Sequence, residues 1–333
     1  MTTMNSSRAV AEAPIAPRRV MSLWQRAIPL AIAAGCFAFL YIRLKGAAAV
    51  QGTGLAAYLA GIFAHVSWSR WLALMVPYCV FYFLIDTLVL WRVINWFNAS
   101  IGYKELIPVR GSSYILSIVN EQVSKGAVAL YLHRRVSVPG WEVGSSMLFI
   151  MVCELYYLLA WATFGVLSQW STLPEILHVI PWIALAAGAF FVLWYLFFSG
   201  RLGVLEPLRE KRIFYAFRRA KLWHYALIIA MRTPLLLAAV VVYTLALRLF
   251  GVDAGFAKIL GYLPVIFFGA ATPGPMRSVA ILLWVVLLPG KPGEMAAFGL
   301  VQHNFFVLFN AAIGLVFLKR ATRDLFGSPV EPA

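Results

Sequence analysis

The chain has 333 residues, 62% of them apolar and only 12% charged, with a mean hydropathy of +0.82 and a formal net charge of +15. This composition excludes an ordinary soluble domain and points to an all-α polytopic membrane protein. Cys36, Cys79 and Cys153 sit singly in apolar stretches without a CxxC pair, so they read as packing residues; no metal site or cofactor is expected.

Residues 1–22 read as a disordered cytoplasmic segment ahead of a single transmembrane domain spanning 23–318. Crossing a hydrocarbon core of roughly 30 Å takes about twenty apolar residues. Six runs qualify: Leu23 to Ile42, Trp71 to Trp91, Val143 to Leu167, Ile176 to Phe198, Leu222 to Leu247 and Met295 to Leu318. Arg43 and Lys45 separate the first run from the alanines at 47–49, which suits a retained anchor better than a cleaved signal.

Two further apolar regions, 106–132 and 259–288, are interrupted by "VNEQVSKG" and "ATPGPMRS". Broken backbone at membrane depth is tolerated only inside protein or beside water, so both read as re-entrant helical hairpins. Residues 319–333 complete the chain as a cytoplasmic tail.

The charge of +15 has two readings, a nucleic-acid face or positive-inside loading, and its distribution separates them. With the N-terminus inside, the cytoplasmic segments carry 18 Lys/Arg and the opposite loops 6. Nucleic acid is therefore not an expected partner, and the expectation is a multi-pass plasma (inner) membrane protein with both termini cytoplasmic. The segment 200–225 mixes arginines with Phe, Tyr and Trp, as expected of a stretch lying on anionic headgroups. Four cations fall within apolar segments: Arg110, Lys125, Arg232 and Arg277.

A shift of 152 residues lays Asn120 on Thr272, Lys125 on Arg277 and Glu142 on Glu294. In both copies a polar break precedes a cation, an apolar half-helix, a Pro-Gly turn and a Glu that opens a long apolar helix. Three full crossings separate the hairpins, so equivalent hairpins would enter from opposite faces, the inverted-repeat plan of many transporters.

Thr272 is a good N-cap with Pro273 at the first helical position, next to Gly274 in the turn, and Asn120 suits the same role in the first copy. Each helix start presents unpaired N–H groups and a positive dipole end, to which Lys125 or Arg277 adds a full charge, a combination suited to phosphate. Glu121 lies four residues before Lys125 and is a local counter-charge. Arg232, beside Pro234, has Glu154 and Asp86 as candidate partners, and two roles stay open for all three: structural ion pairs or substrate contacts. Arg110, near a hairpin end, is expected to snorkel.

The motifs "NEQVSKGAVALYLHRRVSVP" at 120–139 and "TPGPMRSVAILL" at 272–283, with this architecture, resemble the flippase-like family, the transmembrane domain of lysylphosphatidylglycerol synthase. The resemblance spans roughly residues 20–320. It departs from the family pattern where Glu121 and Gln122 replace an expected Pro-Gly, and where Arg277 stands at a commonly acidic position. The synthase's aminoacyl-transferase domain has no counterpart in these residues. What the resemblance implies is movement of an anionic phospholipid or lipid-linked intermediate between leaflets.

Two other functions remain as alternatives: a membrane-embedded transferase acting on lipids, and an accessory subunit of a lipid or polysaccharide assembly. An enzyme is not expected, because no HxxxxD, DxD, HExxH or GxSxG motif occurs. His133 and His224 adjoin basic loops, while His65, His178 and His303 read as isolated. A homo-oligomer stays open.

Overall fold

The computed structural model describes residues 23–117, 121–201, 203, 206–271 and 277–326, and every regular element among them is helical. The α-helices are α1 (Leu23–Val50), α2 (Leu55–His65), α3 (Trp68–Phe97), α4 (Tyr103–Ser117), α5 (Glu121–Val136), α6 (Gly140–Ser168) and α7 (Ile180–Phe198), then α8 (Glu206–Arg209), α9 (Tyr215–Arg219), α10 (Leu222–Leu249), α11 (Phe256–Ala271), α12 (Ser278–Leu287) and α13 (Pro292–Phe326). Single 3-10 turns, Glu175–Val179 and Arg212–Phe214, precede α7 and α9.

Six stretches are long and apolar enough to cross a membrane: Leu30–Val50, Trp68–Phe97, Gly140–Ser168, Glu175–Phe198, Leu222–Leu249 and Pro292–Ala321. They coincide with the six runs read from the sequence. Two boundaries differ. The stretch 43–70, read as a loop, contains the tail of α1 and all of α2, an 11-residue apolar helix too short to span. Helix α13 continues past Leu318 to Phe326, since the charged residues there are good helix formers. After the second break the described helix α12 begins at Ser278, and Thr272, where the sequence reading starts the half-helix, lies outside the described residues.

The two interrupted regions each form a pair of short helices that pack on one another, α4 with α5 and α11 with α12. Each pair lies against two of the long helices. Helix α4 packs on α13 and α5 on α6; α11 packs on α6 and α12 on α13. The contacts on α13 are at opposite halves: Gly314 and Phe317 meet Gly111 of α4, whereas Gly299 meets Ile281 and Trp284 of α12. Helices α3 and α10 pack together between these pairs.

The buried apolar side chains form two clusters stacked along the long helices. One takes Trp71 to Cys79 of α3, Tyr157 to Val166 of α6 and Leu235 to Leu247 of α10, with α11, α12 and the start of α13. The other takes Val89 to Phe97 of α3, Val143 to Cys153 of α6 and Tyr225 to Ile228 of α10, with α4, α5 and α9. The residues between the clusters on these helices include Asp86, Glu154 and Arg232, the only acidic or basic residues in the interiors of α3, α6 and α10 apart from those within a turn or two of an end.

Between apolar helices lipid competes on equal terms with side chains, so association rests on close packing over small residues. A Cβ on Gly165 of α6 would lie 2.5 Å from the Gly261 Cα of α11, backbone that cannot rotate aside, whereas a Cβ on Gly188 of α7 meets nothing within 4 Å. Gly165→Ala should lower stability by about 1–3 kcal/mol, the range for overpacking, and Gly188→Ala should leave it unchanged. Thermal unfolding of both variants in detergent checks this; equal melting temperatures would contradict the packing described.

Candidate functional site

Between the two apolar clusters four helices contribute one group of charged side chains. Asp86 of α3 accepts hydrogen bonds from Arg110 Nε at 2.7 Å, from the Tyr114 hydroxyl at 2.7 Å, both on α4, and from Arg232 Nη2 of α10 at 3.4 Å. Arg232 Nη1 also donates to Glu154 Oε1 of α6 at 3.2 Å. The Arg110 guanidinium lies 4.6 Å from the Tyr114 ring centroid, so the same tyrosine contacts the cation by its face and the carboxylate by its hydroxyl. Two arginines and two carboxylates leave the group formally neutral, the condition under which charges persist away from water.

The two carboxylates are not equivalent. Asp86 takes three donors and its side chain is 7% exposed; Glu154 takes one described donor and is 37% exposed. Glu154 lies fourteen residues from either end of α6. It lines two cavities. The smaller, about 30 Å³, is bounded by Asp86, Arg110, Glu154 and Arg232 and has the size of one or two waters. The larger, about 260 Å³, is bounded by Glu154 and Arg232 on one side and by Arg277 and His303 on the other. Tyr78, Tyr82, Phe267, Phe268 and Phe306 supply its aromatic walls.

Arg277 immediately precedes α12 and holds a left-handed backbone, φ 51° and ψ 42°. For a residue with a Cβ this costs of order 1–3 kcal/mol and needs support from its surroundings. Its guanidinium lies 5.6 Å from the Phe306 ring centroid, and it has no carboxylate partner among the described residues. Ser278, the next residue, carries a buried Oγ without a hydrogen-bond partner. His303 Nε2 accepts from the Trp284 indole at 3.3 Å, so that nitrogen carries its lone pair rather than a proton.

Of the residues anticipated from sequence, Glu154, Arg232 and Arg277 share the larger cavity, and Asp86 joins Arg232 from the far side. Arg232 pairs with both of its candidate carboxylates rather than with one. Arg110 corrects the expectation of snorkelling: it is 9% exposed and bonded to Asp86, because α4 is covered by α3 and α13 and offers it no route to an interface. Asn120, Thr272 and Gly274 lie outside the described residues. Glu121 and Lys125 fall in the first turns of α5, and their side chains lie outside the description. His303, read as isolated, is a cavity residue. Its signal was the polar triplet Gln302-His303-Asn304 within an apolar span. The tyrosines carried none, since aromatic residues occur all along the chain.

Removing Asp86 would leave two buried guanidiniums without their shared partner, whereas removing the charge of Glu154 leaves Arg232 still bonded to Asp86. Asp86→Ala should therefore destabilise by about 3–5 kcal/mol, the cost of breaking a buried pair from one side, and Glu154→Gln by well under half of that. Thermal melts of the two variants in detergent measure the difference, and equal losses would refute the asymmetry.

No family model, curated protein or solved structure matches the chain.

Proposed function

We propose that the protein is a lipid transporter of the plasma (bacterial inner) membrane that passes an anionic phospholipid or lipid-linked intermediate between leaflets. The observation that carries this is Arg277: a half-buried cation on a strained backbone, with no described carboxylate partner, lining a cavity whose remaining wall is mostly aromatic and aliphatic. A cation held at such a site lacks an anion, and phosphate fits it best, since a planar guanidinium bonds two phosphate oxygens at once. At about 260 Å³ the space is below the roughly 300–1,000 Å³ of pockets that enclose drug-sized ligands. It suits a headgroup with its acyl chains left outside in lipid.

The inverted repeat belongs to this reading, and the packing supports it. Exchanging α3–α6 with α10–α13 turns several observed neighbours into others: α4 on α13 becomes α11 on α6, α5 on α6 becomes α12 on α13, and α3 on α4 becomes α10 on α11. At residue level, moving Gly111 and Phe317 by 152 positions in opposite directions gives 263 and 165, two residues from the Gly165–Gly261 contact. In this arrangement the α4–α5 and α11–α12 pairs are re-entrant hairpins from opposite faces, both termini are cytoplasmic, and the resemblance to the flippase-like family extends to the architecture. No nucleotide or metal chemistry enters the proposal.

The test is translocation of a fluorescent phosphatidylglycerol in vesicles containing the purified protein. Replacing Arg277 with Gln should slow it at least about tenfold, since a hydrogen bond to a charged group contributes ~1.5–3 kcal/mol, while the melting temperature stays within a few degrees of the parent. Undiminished translocation by that variant would overturn the proposal.

A further inference from the structure

We infer that Glu154 is a built-in competitor for the headgroup, holding on Arg232 the place that an incoming phosphate takes. The inference rests on the transport reading above, and adds a second cation and a displaceable counter-ion to its site. Three observations carry it. First, Arg232 and Arg277 both line the larger cavity, so the two cations border one shared space. Second, Arg232 has spare donor capacity: Nη1 and Nη2 are engaged by Glu154 and Asp86, but Nε is buried with no partner. A guanidinium holds five N–H donors and is stable when each meets an acceptor. Third, its two carboxylates differ in how firmly they are held. Asp86 is fixed by Arg110 and Tyr114, independently of Arg232, whereas Glu154 has Arg232 as its one described donor and stands at the edge of both cavities with its side chain 37% exposed.

Of the two, Glu154 is the one a phosphate displaces. When it leaves, Arg232 remains anchored by Asp86 and turns unused N–H groups to the ligand, and the Glu154 carboxylate is free to take water in the smaller cavity. Without a headgroup, Glu154 keeps Arg232 neutralised, so the apolar-walled cavity does not hold an unpaired cation there. The same competition weakens ligand binding, which a transporter requires in order to release what it binds.

The experiment measures binding of a short-chain phosphatidylglycerol to the purified full chain in detergent, with diacylglycerol of the same chain length as the uncharged control and glycerol 3-phosphate as the chain-free control. Glu154→Gln should bind phosphatidylglycerol about tenfold more tightly than the parent, within the usual span of coupling effects, with diacylglycerol unchanged. Glu154→Asp keeps the charge but draws it back from Arg232 by one methylene, and should tighten binding by a smaller factor; it carries the test if the Gln variant does not elute as a single folded species. Equal or weaker phosphatidylglycerol binding by both variants, with the parent binding it, would overturn the competitor role alone. An equal gain for diacylglycerol would overturn it too, since a wider cavity would then suffice as the cause. A gain with glycerol 3-phosphate and none with the lipid would overturn the lipid as the ligand. No binding by the parent or either variant would overturn both this inference and the transport reading.

Discussion

The bond between Asp86 and two arginines decides how the middle of this bundle is built. A carboxylate and a guanidinium each lose several kcal/mol when taken out of water, and recover it only with close partners. Asp86 is supplied with them from α4 and α10, so the positions of Arg110, Tyr114 and Arg232 are constrained together. The consequence is geometric. Helices α3, α4, α6 and α10 meet at one level, and the apolar cluster on either side of that level must end there. The cavity lies beside the polar level because side chains chosen to satisfy charges do not interdigitate as aliphatic ones do.

Much of this was legible in the sequence, for reasons that differ by element. The six spans follow from length and hydropathy alone, since bilayer thickness is a fixed external ruler. The two interruptions follow from Asn120-Glu121 and from the Pro-Gly-Pro at 273–275, because proline and charge break an apolar run whatever the tertiary structure. The pairing of Arg232 with Asp86 or Glu154 was legible as a shortage, one cation and two acids inside spans. What was not legible was Arg110, because its burial is decided by how α4 packs between α3 and α13, contacts with residues far along the chain. The cavity was hidden for the same reason: five separate segments supply its wall, and no spacing in one of them announces the others. Helix α2 was missed because it is too short to be recognised against a membrane ruler and follows directly on the Gly-rich turn at 51–54.

The close Gly–Gly approach of α6 and α11 and the Gly111 approach of α4 to α13 belong to the same physics. In lipid, a helix pair gains little by hiding apolar surface, so the fold depends on backbones that come near enough for dispersion and on polar groups that find each other. Small residues do the first at the two places where the short helix pairs dock, and the charged level does the second between them. Helix α7, with only its ends buried, has no such glycine contact; the Tyr156 hydroxyl of α6 donates to its Ala187 carbonyl, and it sits at the periphery.

Stability does not account for the whole charged level. Buried ion pairs are often no better than apolar side chains of the same volume, so a chain selected only to fold could have filled this layer with leucine. The half formed by Asp86, Arg110 and Tyr114 is closed, and a structural role explains it: it pins α4 to α3. The other half is open. Arg232 keeps an unused Nε, Glu154 has one described donor and an exposed side, and Arg277 adds a cation with no described carboxylate across the cavity. Incomplete satisfaction in a low-dielectric interior is the costly arrangement, and a fold keeps it where a ligand completes the set. The difference between the closed and the open half is what supports placing the proposed ligand on the cavity side of Arg232, with Asp86 as its anchor.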